Sequence, residues 1–346
     1  MKLILAAGTE SGAGFALALA VVVALVYLLV LRLLDLNEKE PLWALSMSLV
    51  FGGVAAALVP VFTDATWLLN ALGDGFFESL AKVVALLGAL AIFNGIANLR
   101  GWSEINGLMD GVVYGATVGL GFAVGDAFVH QLTVSGSAAA SVGSPLTVLW
   151  STLLAGLRQG LFGALIGAGF GAAVQAKSAG QRFLYPVAGF VVAVIVHALY
   201  FWLAHGGAAG SQGGLRTLIA MVLPLVLVVV LMVTSLGREK KAIREELQSE
   251  VSSGFVTEGD LALLENPGQR RSRYLKYLSK GDFDEWQALR MRQNRQVQLA
   301  LAKRRAASET DPERRARAER EIAALRASLG NLATTGAPAA GGKVGA

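Results

Sequence analysis

The chain contains no cysteine and few charged residues. Among its 346 residues, Asp, Glu, Lys and Arg together make up 16 %, whereas hydrophobic residues make up 54 %. A soluble domain usually carries roughly 25 % charged residues, so this composition excludes a disordered chain and an ordinary globular enzyme and indicates a membrane protein. The absence of cysteine excludes disulfides, thiolate metal sites and cysteine nucleophiles.

The charges that are present are concentrated at one end of the chain. Residues 237–346 hold 21 of the 30 Lys and Arg residues and 15 of the 25 Asp and Glu residues. We therefore predict an all-α protein with two parts. Residues 1–236 form a polytopic transmembrane helix bundle, and residues 237–346 form a basic helical tail in the cytoplasm. The Gly- and Ala-rich end of the tail, residues 334–346, is predicted to be disordered.

Seven stretches are long and apolar enough to cross a bilayer, which takes about 20 residues in a helix. They are residues 13–34, 42–63, 77–96, 107–129, 146–175, 185–204 and 215–236. The connections after the odd-numbered spans contain Lys or Arg, whereas those at 64–76, 130–145 and 205–214 contain neither. Because cytoplasmic loops carry the excess of basic residues, this alternation predicts an external N-terminus and a cytoplasmic C-terminus.

Ionisable side chains within the spans are few, and Glu78, Asp126, His130 and His197 are predicted to lie at similar depth in the outer half. Glu78 and Lys82 are four residues apart in span three, Asp126 and His130 are four apart in span four, and His197 lies in span six. Charge facing lipid is costly, so these groups are expected to face one polar cavity in the outer half of the bilayer. The alternatives are an ion pair for Glu78 and Lys82, outer water for Asp126 and His130, and a structural hydrogen bond for His197.

Spans four and five carry glycine at every fourth position, which lets helix backbones approach closely. The glycines are Gly111, Gly115 and Gly119 in span four and Gly163, Gly167 and Gly171 in span five. We interpret these two spans as the tightly packed centre of the bundle. Arg158, within span five, is expected to pair with Asp110, Glu78 or Asp126.

Five short motifs occur in an order that resembles the PrsW family of intramembrane proteases. They are N-E-K-E-P at 37–41, E-S-L-A-K at 78–82, D-G-V-V-Y-G at 110–115 with G-L-G-F-A at 119–123, L-R-Q at 157–159 with Gly167, and H-A-L-Y at 197–200. The sequence departs from the family pattern at reactive positions. Ser79 and Gly125 stand where the family has Glu, Gln159 where it has His, and Phe201 where it often has Asn.

The resemblance implies an enzyme that hydrolyses peptide bonds of membrane proteins, with Glu78, Asp126 and His197 as catalytic residues. In a metal-dependent version, Asp126, His130 and His197 would bind a divalent ion such as zinc and Glu78 would act as the base. In a carboxylate version, Glu78 would activate water and Asp126 would be the second acid. The alternative function is a catalytically inactive member that binds a transmembrane partner. A small transporter is disfavoured because no inverted repeat is evident.

The predicted partners follow from the same division of the chain. The first part contacts the lipid bilayer and a transmembrane protein, either substrate or partner. The basic stretch of the tail, which includes Arg270, Arg271, Arg273, Lys276 and Lys280, is predicted to contact anionic lipid headgroups. Nucleic acid is not predicted as a partner, because acidic residues are interleaved. The family resemblance and the Ala/Arg-rich tail predict a prokaryotic plasma membrane.

Overall fold

The computed structural model describes residues 2–34, 40–63, 72–100, 105, 107–134, 144–205, 213–309 and 311–334. In these ranges the protein forms eleven helices and no strand. The predicted all-α fold is therefore confirmed. The predicted disorder of residues 334–346 falls, apart from residue 334, outside the described residues.

Among the described residues, seven helices are long and apolar enough to cross a membrane, which confirms the predicted number of spans. They are α1 (Lys2–Leu34), α2 (Leu42–Thr63), α3 (Leu72–Arg100), α4 (Leu108–Val134), α5 (Pro145–Val174), α6 (Ala179–His205) and α7 (Gly213–Ser252). Helix α5 is unbroken over its 30 residues. Helix α7 continues beyond its apolar part into the charged sequence after residue 236.

Helices α4 and α5 form the centre of the bundle. Their apolar windows are 72 % and 67 % buried, whereas those of the other five spans are between 17 % and 33 % buried. Helix α4 packs against α1, α2 and α5, and α5 also packs against α1 and α6. The outer helices therefore present most of their apolar surface outward, as expected for side chains that contact lipid tails.

The glycine stripes are what allow this packing. A Cβ atom added to Gly115 would clash with the backbone carbonyl of Gly163, and one added to Gly163 would clash with the carbonyl of Gly115. Gly111 and Gly167 block each other's Cβ positions in the same reciprocal way. Because the two backbones touch at these points, no larger residue fits, and the predicted close approach of spans four and five is present.

Of the described residues, the second compact unit contains the end of α3 from Asn98 and the chain from Val233 onward. It contains the end of α7, α8 (Glu258–Glu265), α9 (Pro267–Lys280), α10 (Phe283–Ser308) and α11 (Pro312–Thr334). Its hydrophobic core is its own and includes Ile243, Leu247, Leu264, Val297, Ala300 and Leu325. This core gives the tail a packed tertiary structure rather than a row of separate helices.

Buried polar networks fix how the tail helices pack. Asp260 is 0 % exposed and accepts hydrogen bonds from Arg292 Nη2 at 2.8 Å and Gln296 Nε2 at 3.2 Å. Glu250 is similarly buried and binds Lys303 at 2.8 Å and Arg326 at 2.6 Å. A buried carboxylate requires such partners, so these contacts specify which helix faces meet.

Candidate active site

Two charged side chains of α3 form a pair inside the bundle. Lys82 Nζ lies 3.2 Å from Glu78 Oε2, as the four-residue spacing on one helix face predicts. The side chain of Lys82 is only 1 % exposed and that of Glu78 is 19 % exposed. The Lys82 ammonium also lies 3.8 Å from the centroid of the Phe122 ring of α4. This pair is therefore buried against α4, not placed at a solvated helix end.

Helix α5 contributes a side chain to the same carboxylate. Gln159 Nε2 donates a hydrogen bond of 2.8 Å to Glu78 Oε2, and Gln159 is 0 % exposed. Both donors, from Lys82 and Gln159, therefore bind Oε2, which leaves Oε1 as the oxygen that can accept a proton. In the sequence, Gln159 is noticeable only because it replaces a histidine of the family motif, and nothing there predicts its contact with Glu78.

His197 of α6 lies in the same region. Its ring stacks on Phe162 of α5 with centroids 4.6 Å apart, and the residue is 2 % exposed. A Cβ atom on Gly75, one turn before Glu78, would lie 3.2 Å from His197 Cγ, so the start of α3 packs directly against the imidazole. His197 and Glu78 interact electrostatically. Three helices thus bring together an acid, an ammonium, a carboxamide and an imidazole.

Several buried polar atoms around this cluster have no hydrogen-bond partner among the described residues. They are Ser79 Oγ, Arg158 Nε, Gln159 Oε1 and His197 Nδ1. Arg158 also interacts electrostatically with Glu78, and its guanidinium carbon lies 5.4 Å from the centroid of the Tyr200 ring. Buried polar atoms are nearly always satisfied in proteins, so a concentration of unsatisfied ones is typical of a site that binds water or a polar ligand.

Asp126 and His130 of α4 lie outside the cluster. Both are exposed near the end of α4. Asp126 interacts electrostatically with Glu78, Lys82, Arg158 and His130, so it is close enough to affect the site. The structure therefore brings Glu78 and His197 into the buried cluster and leaves Asp126 and His130 on the adjoining surface.

Gly125, one of the departures from the family motifs, has a packing role. A Cβ atom on Gly125 would clash with the backbone carbonyl of Gly53 in α2. Because α2 and α4 touch here, a glutamate at this position would require the two helices to separate. Ser79 is also fully buried, at 0 % exposure.

A second buried carboxylate, outside this cluster, joins two of the family motifs. Tyr114 of the D-G-V-V-Y-G motif donates a hydrogen bond to Glu40 of the N-E-K-E-P motif, and both residues are buried. The Tyr114 ring also lies 5.1 Å from Phe93, centroid to centroid. Asp110 is 7 % exposed. Sequence reasoning did not predict the Glu40–Tyr114 contact, because nothing in the spacing links residues 74 positions apart.

The described residues do not fit a conventional metal centre. They include no group of three or more His, Asp or Glu side chains that could hold one ion. Within the cluster, Glu78 Oε2 is already engaged by an ammonium group, which would repel a cation, and Gln159 offers only a neutral amide oxygen. Zinc sites usually provide three or four His, Cys or carboxylate ligands. The described residues provide fewer such donors than a zinc site requires.

A comparison with known protein families identifies the family of the chain. The model of the PrsW family, described as intramembrane metalloproteases, matches residues 4–234, which contain all seven spans except the charged end of α7. The chain belongs to the PrsW family. No curated protein and no solved structure is significantly similar to it. Family membership agrees with the motif resemblance, and it supports a membrane protein of the intramembrane-protease type.

Proposed function

We propose that this PrsW-family protein is an intramembrane protease in which Glu78 is the general base. The observation that supports it is the cluster of Glu78, Lys82, Gln159 and His197, which gathers polar side chains of three helices inside a largely apolar bundle. Burying a charge and several polar groups in such a bundle is costly, and intramembrane ionisable groups are usually functional.

In the proposed reaction, the Oε1 atom of Glu78 removes a proton from water as the water oxygen attacks the peptide carbonyl. Lys82 and Gln159 orient the carboxylate by holding Oε2. His197 is proposed to hydrogen-bond the carbonyl oxygen, which becomes negatively charged as the tetrahedral intermediate forms. Asp126, on the adjoining surface, is proposed to protonate the leaving amine, so that the carbon–nitrogen bond breaks and the two fragments separate.

The test uses purified protein in liposomes with dye-labelled single-span helices that carry a Gly-Pro break at varied depth. Wild-type protein should cleave some of them, and Glu78→Gln should reduce cleavage by about 100-fold or more, since loss of a general base typically costs 100- to 10,000-fold. Glu285→Gln, an exposed carboxylate of α10, is the matched control and should retain full activity. Equal activity of the Glu78 and Glu285 variants would refute the assignment.

One contact favours a second function, that of an inactive protein that binds a transmembrane partner. Gln159 satisfies Glu78 in place of the histidine usual in the family, so the carboxylate has neutral and cationic partners within the chain itself. Crosslinking in the bilayer distinguishes the two functions. A binder would hold an intact helix at equal strength in wild-type and Glu78→Gln protein, whereas a protease would release fragments.

We propose a prokaryotic plasma membrane with the N-terminus outside and the tail in the cytoplasm, in contact with anionic headgroups. Since the chain has no cysteine, single cysteines can be introduced cleanly. Ser144→Cys, before α5, should react with a membrane-impermeant maleimide in intact cells. Ser253→Cys, after α7, should react only in permeabilised cells. The reverse pattern would invert the topology.

A further inference from the structure

A groove on the second unit is lined by cations. Its volume is about 370 Å³, and Leu263 of α8 forms one side. The other side is one face of α9, where Gln269, Ser272, Arg273, Lys276 and Lys280 follow each other at helical spacing. No carboxylate is among the residues that line it. The groove is therefore a concentration of positive charge with neutral hydrogen-bonding groups beside it.

The two lysines of the groove are not used by the fold. Both are exposed, and neither forms an ion pair with any residue that the structure describes. Two less exposed cations of this unit are engaged instead: Arg292 pairs with Asp260, and Lys303 pairs with Glu250. Uncompensated Lys276 and Lys280 therefore give the groove a field that attracts anions, and Lys and Arg are the usual ligands of phosphate.

A third face of α9, the apolar face, exposes two leucines and also Arg271. Leu275 is 60 % exposed and Leu278 is 36 % exposed, and they are three residues apart on one face. Phe283, the first residue of α10, is 62 % exposed. Exposed apolar residues beside a basic face are typical of helices that lie in the headgroup region of a membrane. A soluble anion would use the groove but would have no contact with this apolar face.

The structure also refines the predicted basic stretch. Arg270 is only 6 % exposed and Tyr277 is 9 % exposed, so both face the interior of the unit. The residues available to a ligand are those of the groove, the exposed leucines and Arg271, which is exposed four positions before Leu275. The stretch is therefore not a uniformly basic surface but a helix with one buried face, one cationic face and one face on which Arg271 lies beside exposed leucines.

We propose that the groove binds the phosphate of an anionic phospholipid, with Lys276, Lys280 and Arg273 at the headgroup and Leu275, Leu278 and Phe283 among the upper acyl carbons. A lipid headgroup and a soluble anion would both offer the groove a phosphate mono- or diester. The lipid is favoured over a free anion because α9 also has an apolar face and because seven spans tether the tail to a bilayer. The proposal rests on the membrane attachment and headgroup contact proposed above, not on proteolysis.

The test places the full-length protein in nanodiscs of phosphatidylcholine, with or without phosphatidylglycerol. Leu278→Cys, in this cysteine-free chain, carries the environment-sensitive dye NBD, and Ser279→Cys provides a second position. In anionic discs we expect blue-shifted emission that lipid-borne nitroxides quench. Ala324→Cys, on the exposed side of α11, is the matched control and should not respond. Identical spectra in neutral and anionic discs would overturn the proposal.

Charge variants identify the site within α9. Lys276→Gln combined with Lys280→Gln should weaken the response to phosphatidylglycerol by about 30-fold, which corresponds to roughly 1 kcal/mol for each cation. Arg315→Gln combined with Arg320→Gln removes the same charge from exposed positions of α11 and should leave the response unchanged. Equal loss in both pairs would mean that net charge alone attracts the tail and would overturn the assigned groove.

Soluble anions distinguish the sources of phosphate. Glycerol phosphate or inorganic phosphate, added to anionic discs at millimolar concentration, should compete only weakly with the lipid. Complete displacement would show a site for a soluble phosphate and refute the lipid assignment. A response that required an added acidic protein would refute it as well. The dye signal is independent of cleavage, so Glu78→Gln should keep it even if it abolishes proteolysis.

Discussion

Replacing Glu78 and replacing Lys82 are expected to lower the stability of the protein by different amounts. Glu78→Gln would leave the Lys82 ammonium, which is 1 % exposed, beside a neutral amide in place of a carboxylate, with the Phe122 ring and a backbone carbonyl 3.5 Å away as its other partners. Breaking a buried pair in this way typically costs about 3–5 kcal/mol. Lys82→Met leaves Glu78 partly exposed and still bound by Gln159, so its cost should be nearer 1.5–3 kcal/mol, about that of one charged hydrogen bond.

The double variant is the decisive member of this series. Glu78→Gln with Lys82→Met removes both charges, and replacing a buried ion pair as a unit is often nearly neutral. It should therefore be more stable than Glu78→Gln alone. Lys241, which pairs with Glu245 at the same four-residue spacing but is 70 % exposed, is the matched control, and Lys241→Met should cost about 0–1 kcal/mol.

The assay is unfolding of the purified protein in mixed micelles, followed by the fluorescence of its six tryptophans. The expected order of stability is wild type, then Lys82→Met, then Glu78→Gln, with the double variant above Glu78→Gln. Additive losses in the double variant, or a Lys82→Met variant less stable than Glu78→Gln, would show that the pair is not buried in the way described.

The remaining predictions each concern a single contact or the absence of a metal from the proposed mechanism. Gly115→Leu cannot be accommodated where α4 and α5 touch and should abolish monodisperse elution in size-exclusion chromatography, whereas Gly237→Ala, with no atom near its Cβ position, should be neutral or raise stability by up to about 1 kcal/mol. Arg292→Met should lower the stability of the second unit by about 3–5 kcal/mol by leaving Asp260 buried without its cation, and faster limited proteolysis would report it. Arg315→Met, in an exposed pair, should change that rate little. Chelators should leave cleavage unchanged, and loss of activity restored by zinc would contradict the metal-free mechanism.

The motifs indicated the family correctly but not how their residues meet. Glu78 and Lys82 could be paired from their spacing, because both lie on one face of one helix. The contact between Gln159 and Glu78 spans 81 positions and two helices, so no local pattern reports it. The same is true of Glu40 and Tyr114. The packing role of Gly125 likewise becomes visible only when the backbone of α2 is in place.

Hydrophobic length, charge distribution and glycine spacing were sufficient to determine the seven spans, the helical tail and the central pairing of α4 with α5. These features are local, because a bilayer requires about 20 apolar residues from any helix and a close approach requires small residues at regular intervals. Which polar groups share a site depends on the rotation of each helix about its axis, and that is set by side chains from several helices at once. Only the tertiary structure therefore separates partly buried Glu78 and buried His197 from exposed Asp126 and His130.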